Sequence, residues 1–413
     1  MKINIVDALP GTGKTSAAIN YINSAPTETR FLYITPFLTE VTRIIKSCPD
    51  KNFAQPENYG SKLNGIKALF NKGRNIVSTH ALFSSFDQEI IDLAQSYGYV
   101  LIMDEVAEVV HQLTISDEDL NTILEKYAEI QDGHILHWTN DSYTGKFEEY
   151  KRLCELDAVG IYGGMALLWM FPVKTFQAFD EIYILTYMFD AQMQRYYYDY
   201  YGLEYNYLYV RGNSLDTYQF TEEEIIYELP DYSKLIHICD NERLNKIGVA
   251  EGALSKSWYM RNANNDCMRQ IKNNLNNFFR RIRNTPSSQN LWTTFGDFQK
   301  SLGGKGYAKG FLSCNARATN NYRQCTSLAY LVNRYFNPVI RNFFVANGIR
   351  VEEDAYATSE MLQWIFRSAV RDGKEIWLYV PSRRARNLLI DWLGGSSDKQ
   401  VQIGQDVYSN YAI

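Results

Sequence analysis

Met1-Lys-Ile-Asn-Ile-Val-Asp-Ala-Leu-Pro-Gly-Thr-Gly-Lys-Thr-Ser-Ala-Ala-Ile19 is the stretch that decides the fold of this chain. Residues 3–6 read as a short buried strand and Ser16 to Ile22 as a helix, with Gly11, Gly13, Lys14 and Thr15 in the turn between them. A strand feeding a glycine-rich turn that opens a helix is the setting in which backbone N–H groups close on phosphate oxygens. The glycines permit that approach, and the helix N-terminus adds the positive end of a dipole. Gly11, Thr12, Gly13, Lys14, Thr15 and Ser16 are therefore expected to bind a nucleoside triphosphate. Lys14 would act as a point charge on the terminal phosphates and the Thr15 hydroxyl would hold Mg²⁺. The loop reads Ala8-x-x-Gly11-x-Gly13-Lys14-Thr15, so Ala8 stands where the eight-residue phosphate-loop pattern has its first glycine. ATP and Mg²⁺ are the expected cofactors.

A chain of 413 residues accommodates two to three domains of roughly 100–200 residues each. Its 46% hydrophobic content can build a sizeable core, and its 14% aromatic content is rich because of 31 tyrosines. The net charge of −5 gives no global basic field, so any nucleic-acid contact must use local patches. Six cysteines at 48, 154, 239, 267, 314 and 325 make no CxxC pair and no Cys/His cluster, which fits reduced thiols rather than disulfides or zinc. The N-terminus lacks the pattern of a signal peptide, and the longest uncharged stretch, 158–173, is short of the ~20 residues of a membrane helix. A soluble, cytoplasmic protein is expected.

Working outward from the opening stretch, residues 30–35, 76–80, 99–103 and 181–186 are further apolar strands, separated by helical sequence. Such alternation implies a parallel sheet covered on both faces. Residues 1–190 therefore read as one doubly wound α/β domain. The tyrosine-dense runs 196–202 and 205–210 read as strands of a hairpin, with an aromatic stacking surface as the other reading. Helical sequence is expected over 264–284, 328–346, 357–371 and 384–393, with a strand at 375–380. Residues 191–393 form the second domain, and 394–413, opening on Gly394-Gly-Ser-Ser, read as a flexible tail.

Asp104-Glu105 ends an apolar strand, where carboxylates face the crevice of an α/β sheet. Asp104 is expected to hold Mg²⁺ and Glu105 to orient or deprotonate the attacking water. Gln363, Arg367 and Arg371 recur every four residues, which would line them on one helix face. An arginine aimed at the terminal phosphate from outside the phosphate-loop domain neutralises transition-state charge. A solvated basic stripe is the plain alternative. The clusters Arg280-Arg-Ile-Arg283 and Arg383-Arg-Ala-Arg386 are read either as phosphate-tracking patches or as solvated helix faces.

The chain resembles the superfamily 2 DEAD/DEAH-like helicases, most closely the compact helicase-type ATPases encoded by bacteriophages. The resemblance covers roughly residues 1–393. Residues 8–15 match motif I and Met-Asp-Glu-Val-Ala (103–107) matches motif II. Tyr-Ile-Thr-Pro-Phe (33–37) resembles motif Ia, and Val-Ser-Thr-His (77–80) a second strand-end motif. Leu-Thr-Tyr (185–187) stands at motif III, and Gln363 to Arg371 resembles motif VI. Cys314 to Asn320 occupies the place of motifs IV–V. The resemblance implies two RecA-like domains of parallel sheets flanked by helices, with the ATP site in the interdomain cleft. It implies nucleic-acid contacts from Thr35, Pro36, Thr79 and His80, and Arg317, Thr319 and Asn320 could grip phosphates or simply form a capped turn. It assigns the arginine finger to Arg367 or Arg371, with Arg371 preferred. Departures are Ala107 in place of the Asp or His of motif II, Tyr187 in motif III, and a three-residue gap between the motif VI arginines. The implied function is nucleic-acid-dependent ATP hydrolysis driving translocation and unwinding, with single-stranded or duplex DNA as the first expected partner and RNA as the alternative. A phage-encoded chain would act in the cytoplasm of a bacterial host. The alternatives are a translocase that never separates strands, a small-molecule kinase, and a binding module without turnover.

Overall fold

The computed structural model describes residues 1–227, 229–315 and 321–398. The apolar runs of the first half become strands β1 (Lys2–Asp7), β2 (Phe31–Thr35), β3 (Ile76–Thr79), β4 (Val100–Asp104) and, after an insertion, β10 (Glu181–Thr186). With β11 (Asn206–Arg211) and β12 (Gln219–Thr221) they form a seven-stranded sheet in the order β12-β11-β1-β10-β4-β2-β3. Every pairing in it is parallel except β11 with β12. Val6, Tyr33, Val77, Ile102 and Leu185 share one buried cluster with Ala17, Ala18 and Ile22 of helix α1 (Lys14–Ser24) and Val41 and Ile44 of helix α2 (Leu38–Ser47). The alternate residues Ile5, Ile34, Leu101 and Ile184 are equally buried, so both faces of the sheet are covered, as uniformly apolar strands require.

An unforeseen element sits between β4 and β10. Strands β5 (Val110–Gln112), β6 (Ala128–Gln131), β7 (Ile135–Trp138), β8 (Val159–Tyr162) and β9 (Ala166–Met170) form an antiparallel sheet in the order β5-β9-β8-β7-β6. Leu120, Ile123, Leu136, Trp138, Phe147, Ile161 and Leu167 give it a core of its own. The helix Pro338–Ala346, far along the chain, joins this first unit. Its Phe343 ring lies 5.1 Å from Tyr200 and 6.2 Å from His134.

The second sheet is four-stranded and fully parallel, β13 (Ile236–Ile238), β16 (Ile376–Tyr379), β15 (Ser327–Tyr330) and β14 (Asn290–Thr293) in that spatial order. The helix Asp266–Asn277 covers it through Met268, Ile271 and Leu275, packed with Trp292, Ala329 and Tyr379. Two compact units result. One holds Met1–Glu224 with Asn337–Val351, the other begins at Ile225, breaks at Phe336 and resumes at Glu352. The first unit thus runs past residue 190, because β11 pairs directly with β1.

Several local expectations are corrected. Residues 196–200 belong to the helix Met193–Tyr200, not to a strand, because Tyr196, Tyr197 and Tyr198 are all fully buried there and burial outweighs β propensity. Of the helix expected over 328–346, the first residues form β15 and only Pro338–Ala346 is helical. The helix expected over 357–371 spans Glu353–Ile365 and stops there. Residues 394–398, expected to open a flexible tail, are instead the last residues of the helix Arg383–Asp398. Residues 399–413 lie outside the described residues.

Candidate functional site

β1 delivers the chain into a loop whose backbone is set by two glycines, Gly11 at φ 101° and Gly13 at φ 91°, both in the region that glycine alone enters freely. Thr12 closes the turn, its amide and its hydroxyl both donating to the Leu9 carbonyl at 3.3 and 2.9 Å. Gly13 caps α1 without a side-chain bond, and the first turn of α1 carries no acidic residue. Its leading N–H groups therefore meet no acidic side chain of their own turn, as in a phosphate cradle. Lys14 folds back across the loop and donates to the carbonyls of Ala8 and, at 3.1 Å, Leu9. The glycine conformations and the lysine position fit a triphosphate.

Asp104 is the last residue of β4, and Glu105 follows at φ 72°. That left-handed turn is held by the Glu105 amide, which donates to the Leu185 carbonyl of β10 at 2.9 Å. Burial pushes the Asp104 carboxyl up to about 7, with Glu105 and Glu40 adding to the rise and Lys14 and Arg43 opposing it. Lys14 and the Asp104–Glu105 pair thus share one electrostatic neighbourhood. Glu40 and Arg43, paired at 3.1 Å on α2, belong to it as well and were not foreseen. His80 donates from Nε2 to the Asp104 carbonyl at 2.9 Å. It therefore holds the strand end that carries the carboxylates. The Ala107 amide donates to Gln194 Oε1 at 2.8 Å, and Gln194 donates in turn to the Tyr198 hydroxyl at 2.7 Å.

A second carboxylate at a strand end went unnoticed in the sequence. Asp7 accepts the amides of Met188 and Phe189, each at 2.7 Å, and so clamps the turn after β10 to the end of β1. Met188 sits at φ 57°, a conformation that this double bond holds in place. Burial raises the Asp7 carboxyl to about 6; the two amides and Lys14 pull it down, and Asp190 pushes it up. The only signal in the sequence was position, directly before the loop.

The other expected contacts fare unevenly. Thr35 is fully buried. Pro36 and Thr79 are half-buried, and His80 is engaged as above. Arg317, Thr319 and Asn320 lie outside the described residues. In the second unit Gln363, Arg367 and Arg371 do not share one helix. Gln363 is on the helix Glu353–Ile365 and donates to Ser359 Oγ at 3.2 Å; Arg367 lies in the following turn, 5% exposed; Arg371 is half-buried on a short 3₁₀ turn, Ala369–Asp372. The basic clusters are partly internal. Arg283 lies 3.8 Å over the Trp377 ring, and Arg386 donates to the Val380 carbonyl at 2.9 Å. Among the described residues, no three His, Cys, Asp or Glu side chains form a metal cage.

Residues 230–393 match the profile of the YonV C-terminal Rossmann-like domain. The chain is 39% identical over 409 residues to the SPbeta prophage-derived uncharacterized protein YonV of Bacillus subtilis (strain 168), spanning 95% of this chain and 98% of that one. Among solved structures, S. tokodaii Xpd4 aligns with a TM-score of 0.46 at 12% identity, over 97% of this chain and 95% of its own. The DUF1998 helicase MrfA bound to DNA and AMPPNP aligns with a TM-score of 0.36 at 10% identity, over 95% of this chain and 48% of its own. Scores this low carry no functional weight.

Proposed function

The chain belongs to the YonV family, and we propose that this member hydrolyses ATP to drive movement along nucleic acid, with strand separation as the outcome on duplex DNA. One observation carries the reading. The ends of three neighbouring strands of one sheet bring together Lys14 after β1, Asp104-Glu105 after β4 and the turn after β10, tied by the Glu105–Leu185 and Asp7–Met188 bonds. A phosphate cradle beside two carboxylates supports phosphoryl transfer to water rather than simple phosphate binding.

In this reading the loop amides of residues 11–16 and the Lys14 ammonium bind and orient the phosphates. Thr15 and Asp104 would hold Mg²⁺, which supplies charge neutralisation when bound. Glu105 orients water and takes its proton. Arg371, more exposed than Arg367, is the arginine we assign to the developing charge. The Asp7 clamp passes a change at the loop to the turn after β10, the position that the family resemblance links to the nucleic-acid site. DNA is the expected track.

The test is ATP turnover beside a strand-displacement assay, for the wild type, Lys14→Ala and Glu105→Gln. Wild-type turnover with displacement, no turnover in either variant, and retained ATP binding in Glu105→Gln are expected. Unimpaired turnover in either variant refutes the site. Turnover without displacement makes the protein a translocase or remodelling ATPase, and phosphate transfer to a small molecule makes it a kinase.

A further inference from the structure

The hairpin β11–β12 lays an aromatic ring on the phosphate loop. Its turn is tightly built. Gly212 stands at φ 129°, where a Cβ would come within 2.6 Å of the Thr217 carbonyl oxygen. The Thr217 hydroxyl accepts the amides of Asn213 and Ser214 at 3.1 and 3.0 Å. The turn is fastened to the loop's own helix, because Asn20 of α1 donates to the carbonyls of Leu215 at 2.9 Å and Tyr218 at 2.8 Å. Two residues on, Phe220 stacks on Tyr183 at 5.2 Å and 17°, locking β12 to the sheet.

Tyr218 is carried by these anchors against Gly13. A Cβ on Gly13 would lie 2.5 Å from Tyr218 Cδ1 and Cε1, so the ring rests on the bare Cα of the residue before Lys14. The ring is half-buried and held from both sides in sequence, so little rotamer freedom remains to be lost on binding. The loop provides for the phosphates of a nucleotide and leaves its base without a partner. A fixed aromatic face beside the loop is the surface a base stacks on, since every base offers a π-face.

We propose that Tyr218 is the base platform of the nucleotide site, stacking the purine of the nucleotide whose phosphates occupy residues 8–15. The proposal rests on the ATP reading above. It makes the hairpin part of the binding site and gives Gly13 a second reason to lack a side chain.

The test compares two probes, ATP and inorganic tripolyphosphate, both with magnesium, by calorimetric titration. Tyr218→Leu keeps an apolar filler without a π-face, Tyr218→Phe keeps the face, and Lys14→Ala removes the phosphate contact. Tyr218→Leu should weaken ATP by about tenfold or more and leave tripolyphosphate within about twofold. Tyr218→Phe should bind both as the wild type does, and Lys14→Ala should lose both. Unchanged ATP affinity in Tyr218→Leu, or equal loss of both probes, overturns the proposal while the phosphate loop stands. If the wild type binds neither probe, the ATP reading itself falls.

Discussion

Asp7→Asn is the most informative perturbation of the clamp between β1 and the turn after β10. The substitution keeps an acceptor for the Met188 amide but turns an NH₂ group toward the Phe189 amide, leaving one buried donor unsatisfied. It also removes a titration. The Asp7 carboxyl stands at about 6 in the fold against an ordinary 3.8, so the folded state holds the proton more tightly than the unfolded chain. A raised pKa contributes stability that is complete below 3.8, falls as pH rises through about 6 and is gone above it. The full amplitude is about 3 kcal/mol, and between pH 5 and pH 7.5 about 1 kcal/mol of it disappears from the wild type alone. Asp7→Asn has no such dependence, so its destabilisation should be about 1 kcal/mol larger at pH 5 than at pH 7.5. Urea unfolding of both proteins at the two pH values measures the difference. An equal destabilisation at both, or a larger one at pH 7.5, refutes the account of Asp7 as a desolvated carboxylate.

Gln194→Leu should lower the melting temperature through a loss of about 1–3 kcal/mol, because the Ala107 amide loses its acceptor in a buried site. An unchanged midpoint would remove Gln194 as the support of the Asp104–Ala107 turn. Arg371→Ala should cut turnover at nearly unchanged ATP affinity, whereas Arg367→Ala, which empties a buried position, should first lower thermal stability. Full turnover in Arg371→Ala would move the charge-neutralising role elsewhere.

The parallel sheet and the glycine turn that opens α1 were legible because each rests on local pattern, uniformly apolar strands and glycines at fixed offsets. The Asp104-Glu105 pair was legible for the same reason. What escaped depends on distant partners. Asp7 and Gln194 act on residues 181 and 87 positions away, and nothing local marks a polar side chain as an interior clamp. The Gln363/Arg367/Arg371 spacing suggested a helix that one local and one tertiary bond end. Ser368 donates to the Ile365 carbonyl at 2.7 Å, and the Ala369 amide turns to Cys325 at 3.1 Å, pulling the chain out of helical register. The helix start at Asn337-Pro338 was in the sequence, a capping side chain before a proline, and the apolar run leading into it obscured it. The antiparallel insertion was hidden because its strands are short, three to five residues, with little room for alternation.

The central claim is that the carboxylates and the phosphate loop of the first unit hydrolyse ATP in response to nucleic acid. Its most direct test is the ATP hydrolysis rate with single-stranded DNA, duplex DNA, RNA or nothing added, with Lys14→Ala as the blank. A rate that rises severalfold or more with nucleic acid, most with DNA, and vanishes in Lys14→Ala is the expected result. A rate indifferent to every nucleic acid, or one that survives in Lys14→Ala, would contradict it.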